Sequence, residues 1–288
     1  MKMNRRSLLI RASQVMLLGG TAASLAGKFY FDNENPERLK PRDNKTPADL
    51  HVHLPRNVDL GNLILNLSQP GLIGLATYNN KNMLLSYHDI KGALKEIDPG
   101  ILGVIVYDND AGYVLNVQEI NAEHHISALG CKEKITAKNA KEAIKEIKKQ
   151  NGLAILNHPY IVPGGWTRYR LINKEEEKII NELAREVDEI EVFNGQCINA
   201  IPSILDMREA NEKAQKFARK NGFKGIATSD THMRLEQVLT SGIYINGEDL
   251  TFKKLKEYII EKKFESVGNY VSRGSFVKGH FPSLEYIF

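Results

Sequence analysis

Cysteine is scarce: the 288 residues hold two, Cys131 and Cys197. Two thiols cannot build the disulfide framework of a small secreted domain, nor can they supply a four-cysteine zinc site. They read as small buried apolar side chains, and a single bond between them stays open for an exported protein. A basic tract is missing too. The net charge of +4 traces to the first 26 residues, which contain Lys2, Arg5, Arg6 and Arg11 and no acid. Setting those four aside leaves 35 basic residues against 35 acidic ones. That balance removes the case for nucleic acid or an anionic membrane as partner. No uninterrupted apolar run approaches the ~20 residues of a membrane span, and no internal repeat or low-complexity segment stands out. What remains is ordinary globular material, 42% apolar and 26% charged, enough for a substantial core.

The leader has a pattern of its own. Asn4-Arg5-Arg6-Ser7-Leu8-Leu9-Ile10 precedes a modest Gly- and Ala-rich apolar stretch, Val15 to Ala26. Ser24-Leu25-Ala26 offers small residues where a signal peptidase reads. The stretch resembles a twin-arginine signal, with Asn4 and Ile10 departing from the usual pattern. The resemblance implies residues 1–26 as a signal peptide, use of the twin-arginine export machinery and a periplasmic or extracellular location. An uncleaved, membrane-tethering leader is the alternative. Residues 27–47, with Pro36, Pro41 and Pro47 and little periodicity, read as a linker. Residues 48–288 form the expected domain.

From Ala48 onwards short apolar runs alternate with amphipathic stretches. The runs are Leu72–Thr77, Gly103–Tyr107, Val114–Glu119, Ile126–Gly130, Leu153–Asn157, Glu189–Phe193, Gly225–Ser229 and Gly242–Ile245. Helical patterns fall at Ser86–Ile97, at Ala140–Gln150 with Thr136 as N-cap, and at Asn173–Val187, Ser203–Asn221 and Thr251–Lys262. Such alternation predicts an α/β domain with a largely parallel sheet.

Polar clusters close most of these runs. His51 and His53 stand two apart in Asp49-Leu50-His51-Val52-His53, so both rings share one face of an extended strand. Other clusters are Glu119 with His124-His125, Asn157-His158-Pro159, Asn194-Gly195, and Ser229-Asp230-Thr231-His232. Parallel sheets and barrels gather their active sites at the carboxyl ends of strands, so these clusters are expected to converge. Of the eight histidines, His51, His53, His125, His158 and His232 share that setting; His88, His124 and His280 are left as surface or capping residues. His124 and His125 point to opposite faces if extended, so only one joins the site. Taken singly, each residue has a plainer reading. Asp230 could cap a helix, Glu119 could be an exposed carboxylate, and Asn157 and Asn194 could be turn residues. Their joint placement is what favours a metal site.

Five of these segments, in order over roughly residues 48–235, resemble the motifs of the PHP (polymerase and histidinol phosphatase) metal-hydrolase family. They are Asp49–His53, Glu119 through His125 to Gly130, Asn157-His158-Pro159, Glu191-Val192-Phe193-Asn194 and Ser229–His232. The resemblance implies a distorted seven-stranded (β/α)7 barrel of PHP type. It implies metal ligands at His51, His53, Glu119, His125, His158, Asp230 and His232. His51, His53 and Asp230 would hold one ion, with Glu119 bridging to a second held by His125 and His158. A departure lies in the second motif, where Tyr78 and Asn79 replace an aspartate and a metal-binding histidine. Two divalent ions (Zn, Mn or Fe) are therefore expected, and a third position that is weak or absent. Asp59 lies near the further ligand that the resemblance implies downstream of the first motif.

Imidazole with carboxylate suits those metals. Two such ions polarise a phosphoryl oxygen and hold a hydroxide as nucleophile. The expected function is hydrolysis of a small phosphate ester, with Asp230 and His232 as candidate catalytic proton carriers. Arg56, Arg168 and Arg170 are candidate phosphate contacts, the last two in a loop with Trp166 and Tyr169. The alternative is a PHP-fold protein that binds metal or ligand with catalysis lost at Tyr78-Asn79; a nuclease is the less favoured third.

Overall fold

The computed structural model describes residues 34–59, 63, 71–78, 83–107, 110–162, 170–201, 205–247 and 249–280. The apolar runs form strands, namely β1 (Lys45–His53), β2 (Leu72–Tyr78), β3 (Lys95–Asp98), β4 (Leu102–Tyr107), β5 (Asp110–Asn121), β6 (His125–Leu129) and β7 (Leu153–Leu156). A small hairpin of β8 (Ile161–Val162) and β9 (Arg170–Leu171) follows, then β10 (Glu189–Asn194). A second hairpin pairs β11 (Asn199–Ile201) with β12 (Leu205–Asp206). The chain ends through β13 (Ile226–Thr228), β14 (Thr231–His232), β15 (Gly242–Asn246) and β16 (Glu265–Val267). The helices are α1 (Tyr87–Ile90), α2 (Ala140–Lys149), α3 (Lys174–Leu183), α4 (Arg208–Asn221), α5 (Phe252–Ile260) and α6 (Arg273–His280).

Twelve strands make one mixed sheet with the path β13-β10-β7-β6-β5-β2-β1-β15-β16, flanked by β3, β4 and β14. The sheet nearly closes on itself, because β14 follows β13 at one end of the path yet pairs in parallel with β1 (Val52↔Thr231, His53↔His232). A largely parallel sheet was expected, and the sheet is mixed. β1–β2, β2–β5, β7–β10 and β10–β13 are parallel. β4–β5–β6–β7 and β1–β15–β16 are antiparallel. For β4–β5–β6 the cause is local: the twelve-residue β5 is joined to β4 and β6 by connections too short to cross over.

Alternation along the strands sorts the interior into two levels. Leu115 and Val117 share a face with Glu119, Leu129 with Ser127 and His125, Leu153 and Ile155 with Asn157, and Ile226 with Thr228. Each apolar member belongs to one buried cluster that also takes in Phe252, Leu255 and Ile259 of α5. One end of the interior is therefore hydrocarbon and the other carries the polar groups. On the opposite face Ile126, Ala128, Ala154, Leu156 and Ile190 pack against α2, α3 and α4 through Ile144, Ile147, Ile180, Leu183 and Ala214.

Local signals set the helix ends. Asn173 accepts from Glu175 and Glu176 N in a capping box, and Thr251 accepts from Lys254 N. The cap of α2 is Asn139, bonded to Glu142 N at 2.9 Å, and not Thr136. Helix α4 starts at Arg208 because Leu205–Asp206 pairs as a strand. The expected helix Ser86–Ile97 is a single turn capped by Ser86, then a 3-10 turn, then strand β3. Pro99-Gly100, with Gly100 at φ +74°, turns β3 back onto β4 and competes with helix continuation. Gly74 of β2 permits a close approach to β1: a Cβ there would lie 2.6 Å from Leu50 O.

The leader, residues 1–26, lies outside the described residues. The segment expected as a linker packs on the domain from Asn35 onwards. Leu39 is buried and its N–H bonds Leu239 O at 2.8 Å, Asn35 Oδ1 accepts from Ser272 N, and β1 begins at Lys45. No helix among the described residues is long and apolar enough to cross a membrane.

Candidate metal centre

The strand register brings the ionisable groups to one end of the barrel-like interior. His51 and His53 share a face of β1, with their Nε2 atoms 3.0 Å apart. Glu119 projects from β5 between them and two more imidazoles. Its Oε2 is 3.1 Å from His53 Nε2; its Oε1 is 2.6 Å from His125 Nδ1, 3.4 Å from His158 Nε2 and 3.5 Å from His51 Nε2. His125 opens β6 where a strand end was expected. The antiparallel pairing Asn121↔His125 returns it to the same edge. His158 follows β7. Asp230 and His232 follow β13, and Asp230 Oδ1 lies 3.4 Å from His51 Nε2, 3.7 Å from His53 Nε2 and 3.5 Å from His232 Nδ1. Three groups of ligand atoms result, each within 4.8 Å: His51–His53–Glu119, Glu119–His125–His158 and His53–Asp230–His232.

The donor chemistry fits cations. His53 Nδ1 bonds Ala76 O at 2.9 Å, and His51 Nδ1 lies 3.3 Å from Glu191 Oε1. Both partners are acceptors, so each Nδ1 carries the hydrogen and each Nε2 presents a lone pair. Two lone pairs 3.0 Å apart repel unless a proton or a metal ion lies beside them. Glu119 Oε2, Asp230 Oδ1 and His125 Nε2 are buried without a hydrogen-bond partner among the described residues. Buried groups of this kind are costly unless compensated. Burial opposes the charged forms throughout, yet the mutual field prevails. Asp230, Glu119 and Glu191 hold His51 well above the usual histidine value despite its burial, and His158 is raised by Glu119, Glu191 and Asp230 against the same penalty. Glu119, through His125 and His51, is held well below the carboxylate range, and Asp230, through His51 and His232, is lowered as well.

A shell of fixed groups aims these ligands. Glu191 Oε1 accepts from Thr228 Oγ1 as well as facing His51; its Oε2 accepts from His158 N at 2.5 Å and Asn194 Nδ2 at 3.3 Å. Asn194 also donates to Asp230 Oδ2 at 2.8 Å. Asn157 donates to Glu119 Oε1 at 3.2 Å and to Ser127 Oγ at 2.8 Å. Asp49 accepts from Ser229 N, Ser229 Oγ and Leu239 N, which fixes the turn that carries Asp230. His158 and Asp230 have positive φ, +24° and +49°. This is the left-handed region that bulky residues enter at a cost of ~1–3 kcal/mol, and such strain gathers at functional sites.

The structure thus assembles His51, His53, Glu119, His125, His158, Asp230 and His232. His124 lies in the bend before β6 and belongs to none of the three groups; it is buried and not a surface residue, and burial and His158 lower its pKa. His88 is exposed. Arg56 is exposed and paired with Asp89 Oδ1 at 2.7 Å. Arg168, Trp166, Tyr169 and Asn79 lie outside the described residues. Arg170 opens β9, and only its backbone is described. Asp59 belongs to none of the three groups. Glu191, which heads the Glu-Val-Phe-Asn motif, joins the site by facing His51 and accepting from His158 N. Its signal in the sequence is a charge inside the strand run Glu189–Phe193. Tyr78, which stands in the second motif beside the Asn79 expected to cost a ligand, sends its ring into the cluster. It stacks on His53 (centroids 4.6 Å, 8°) and places its OH 3.3 Å from His232 Nε2.

No family model matches the chain, and no curated protein matches it. Solved structures do. One is a two-domain protein containing a predicted PHP-like metal-dependent phosphoesterase from Bacteroides vulgatus. It is 15% identical with a TM-score of 0.45, over 82% of this chain and 69% of that one. Another is a lesion-specific endonuclease from Pyrococcus furiosus, 14% identical with a TM-score of 0.45, over 77% of this chain and 57% of that one.

Proposed function

We propose that the chain is a metal-dependent phosphoric ester hydrolase acting on a small phosphate ester. The observation that carries this reading is the convergence of five imidazoles with Glu119 and Asp230, two of whose carboxylate oxygens make no hydrogen bond among the described residues, at the polar end of a nearly closed interior. On this reading β13-β10-β7-β6-β5-β2-β1, a run of seven strands in the sheet path, is the barrel of PHP type within a domain spanning 48–288.

Two divalent ions, Zn, Mn or Fe, held there would supply Lewis acidity for transfer of a phosphoryl group to water. His51, His53 and Asp230 form one position and His125 with His158 the other, with Glu119 shared. His158 and His232 are the less buried members and face the incoming ester. Of the two candidate proton carriers, His232 would hold the proton for the leaving group at Nε2, because Asp230 is taken up as a ligand. Arg168 and Arg170 follow His158 closely in sequence and would grip the phosphate; Arg56 would first have to leave Asp89. The neutral chain beyond the leader supports a small substrate over a polymer. The leader supports export by the twin-arginine route, which Arg5→Lys/Arg6→Lys would abolish.

The test is to purify the chain, count its metal, and assay phosphate mono- and diesters with Mn, Zn and Fe. Turnover that disappears in His158→Ala supports the reading. Bound metal without turnover on any ester favours a binding protein, and strong preference for nucleic acid favours a nuclease.

A further inference from the structure

The aromatic ring among the imidazoles has a role that substitution of a histidine would not suggest. The third group of ligand atoms, His53–Asp230–His232, is as tightly drawn as the other two. Each member is aimed. His53 Nδ1 is committed to Ala76 O. His232 Nδ1 is committed to Asp230 O at 2.8 Å, which turns Nε2 inward. Asp230 Oδ2 is taken by Asn194, while Oδ1 is buried and makes no hydrogen bond among the described residues. His53 Nε2, with a single lone pair, serves the first position, so Asp230 Oδ1 and His232 Nε2 are the donors left for the third, and metals in such sites take more.

Tyr78 ends β2 directly above this group. Its ring lies parallel to His53 and its edge meets His125 at 6.2 Å between centroids. Stacking fixes the direction of the phenol oxygen, which reaches 3.3 Å from His232 Nε2, the very atom that the third position would use. An oxygen held that near one ligand atom lies within range of an ion bound to it.

We propose that Tyr78 is a metal ligand: its phenol oxygen joins Asp230 and His232 in a third position, while His53 Nε2 stays with the first and its ring holds the phenol in place by stacking. Coordination replaces the phenol proton with the ion, and the proton passes to solvent. The expectation that this strand weakens the third position is thereby reversed, since Tyr78, next to the Asn79 that replaces the motif's histidine, supplies an anionic oxygen. In this arrangement His232 Nε2 is a ligand and not a proton carrier. The proposal rests on the metal-site reading above but not on catalysis.

Ferric ion alone is the probe, because phenolate bound to it gives a visible charge-transfer band and imidazole or carboxylate does not. The full chain is loaded with Fe(III), its absorption spectrum and phenolate resonance Raman modes are recorded, and iron is counted by mass spectrometry. Wild type is expected to show the band. Tyr78→Phe, which keeps the ring stacked on His53, is expected to lose the band and one ion per chain. His232→Ala should lose the band too, whereas His158→Ala should keep it. A wild type that binds iron without the band overturns the Tyr78 assignment and leaves the shared two-ion site standing. A Tyr78→Phe variant that keeps the band and its full iron content overturns it equally. A chain that binds no iron overturns both readings.

Discussion

Replacing Glu191 by glutamine tests how far the ligands depend on groups that touch no metal. All four neighbours of this carboxylate donate hydrogen bonds: His51 Nδ1 and Thr228 Oγ1 to Oε1, His158 N and Asn194 Nδ2 to Oε2. Glutamine has nearly the same shape but one end becomes a donor, so it meets either the two N–H donors at Oε2 or the His51 Nδ1–H at Oε1, where only the Thr228 hydroxyl can turn to accept. A ligand of one proposed metal position is then misdirected, His158 through its backbone or His51 through its ring. Loss of an orienting partner of this kind typically costs 10–100-fold in metal affinity, about 1.4–2.8 kcal/mol. A second effect runs the other way. Glu191 helps to raise the pKa of His51, so its removal weakens proton competition for that ring. The loss of affinity should therefore be smaller at low pH and grow as pH rises. Competition titration of Glu191→Gln against a chelator over a range of pH measures both, with thermal melting to confirm that the variant is folded. An unchanged affinity, or a loss that does not vary with pH, would refute the orienting role.

Metal-free and metal-loaded protein should respond to pH with opposite slopes. His51 and His158 have raised folded pKa values, so their contribution to the metal-free fold is complete below the ordinary histidine range and fades as pH rises through the raised values. Metal binding needs those rings unprotonated, so affinity should climb over the same window with release of protons; calorimetry in buffers of different ionisation enthalpy measures this. Gly74→Ala would push a methyl against Leu50 O, 2.6 Å from the ideal Cβ, and should destabilise the fold by about 1–3 kcal/mol in urea titration; an unchanged midpoint would mean that β1 and β2 part freely. Cys131, its thiol pushed up to about 12 by burial, and Cys197, raised well above its usual value by burial, should resist thiol reagents in the native chain and react only after unfolding.

Much of this site was legible because strand alternation and strand ends are one-dimensional signals. His51 and His53 had to share a face, and apolar runs ending in ionisable residues marked the polar end of the interior. Three features were hidden for physical reasons. The mixed pairing depends on connection length around β5, which places His125 at the start of a strand and still at the same edge. The turn at Ser86 carries a capping box that announces a helix, but the Pro99-Gly100 turn decides the segment as a hairpin. Glu191 and Tyr78 depend on tertiary neighbours: a carboxylate surrounded by donors and a phenol stacked on an imidazole cannot be told from ordinary strand residues until β10, β13, β1 and β2 are side by side.

Anomalous diffraction at the metal edge from crystals of the loaded chain tests the central claim most directly. The account predicts one peak shared by Glu119, His125 and His158 and a second shared by Glu119, His51, His53 and Asp230, each at the ~2.0–2.2 Å that nitrogen and oxygen ligands adopt. A cluster without metal after loading, or metal bound elsewhere while the imidazoles keep their present spacing, would contradict it.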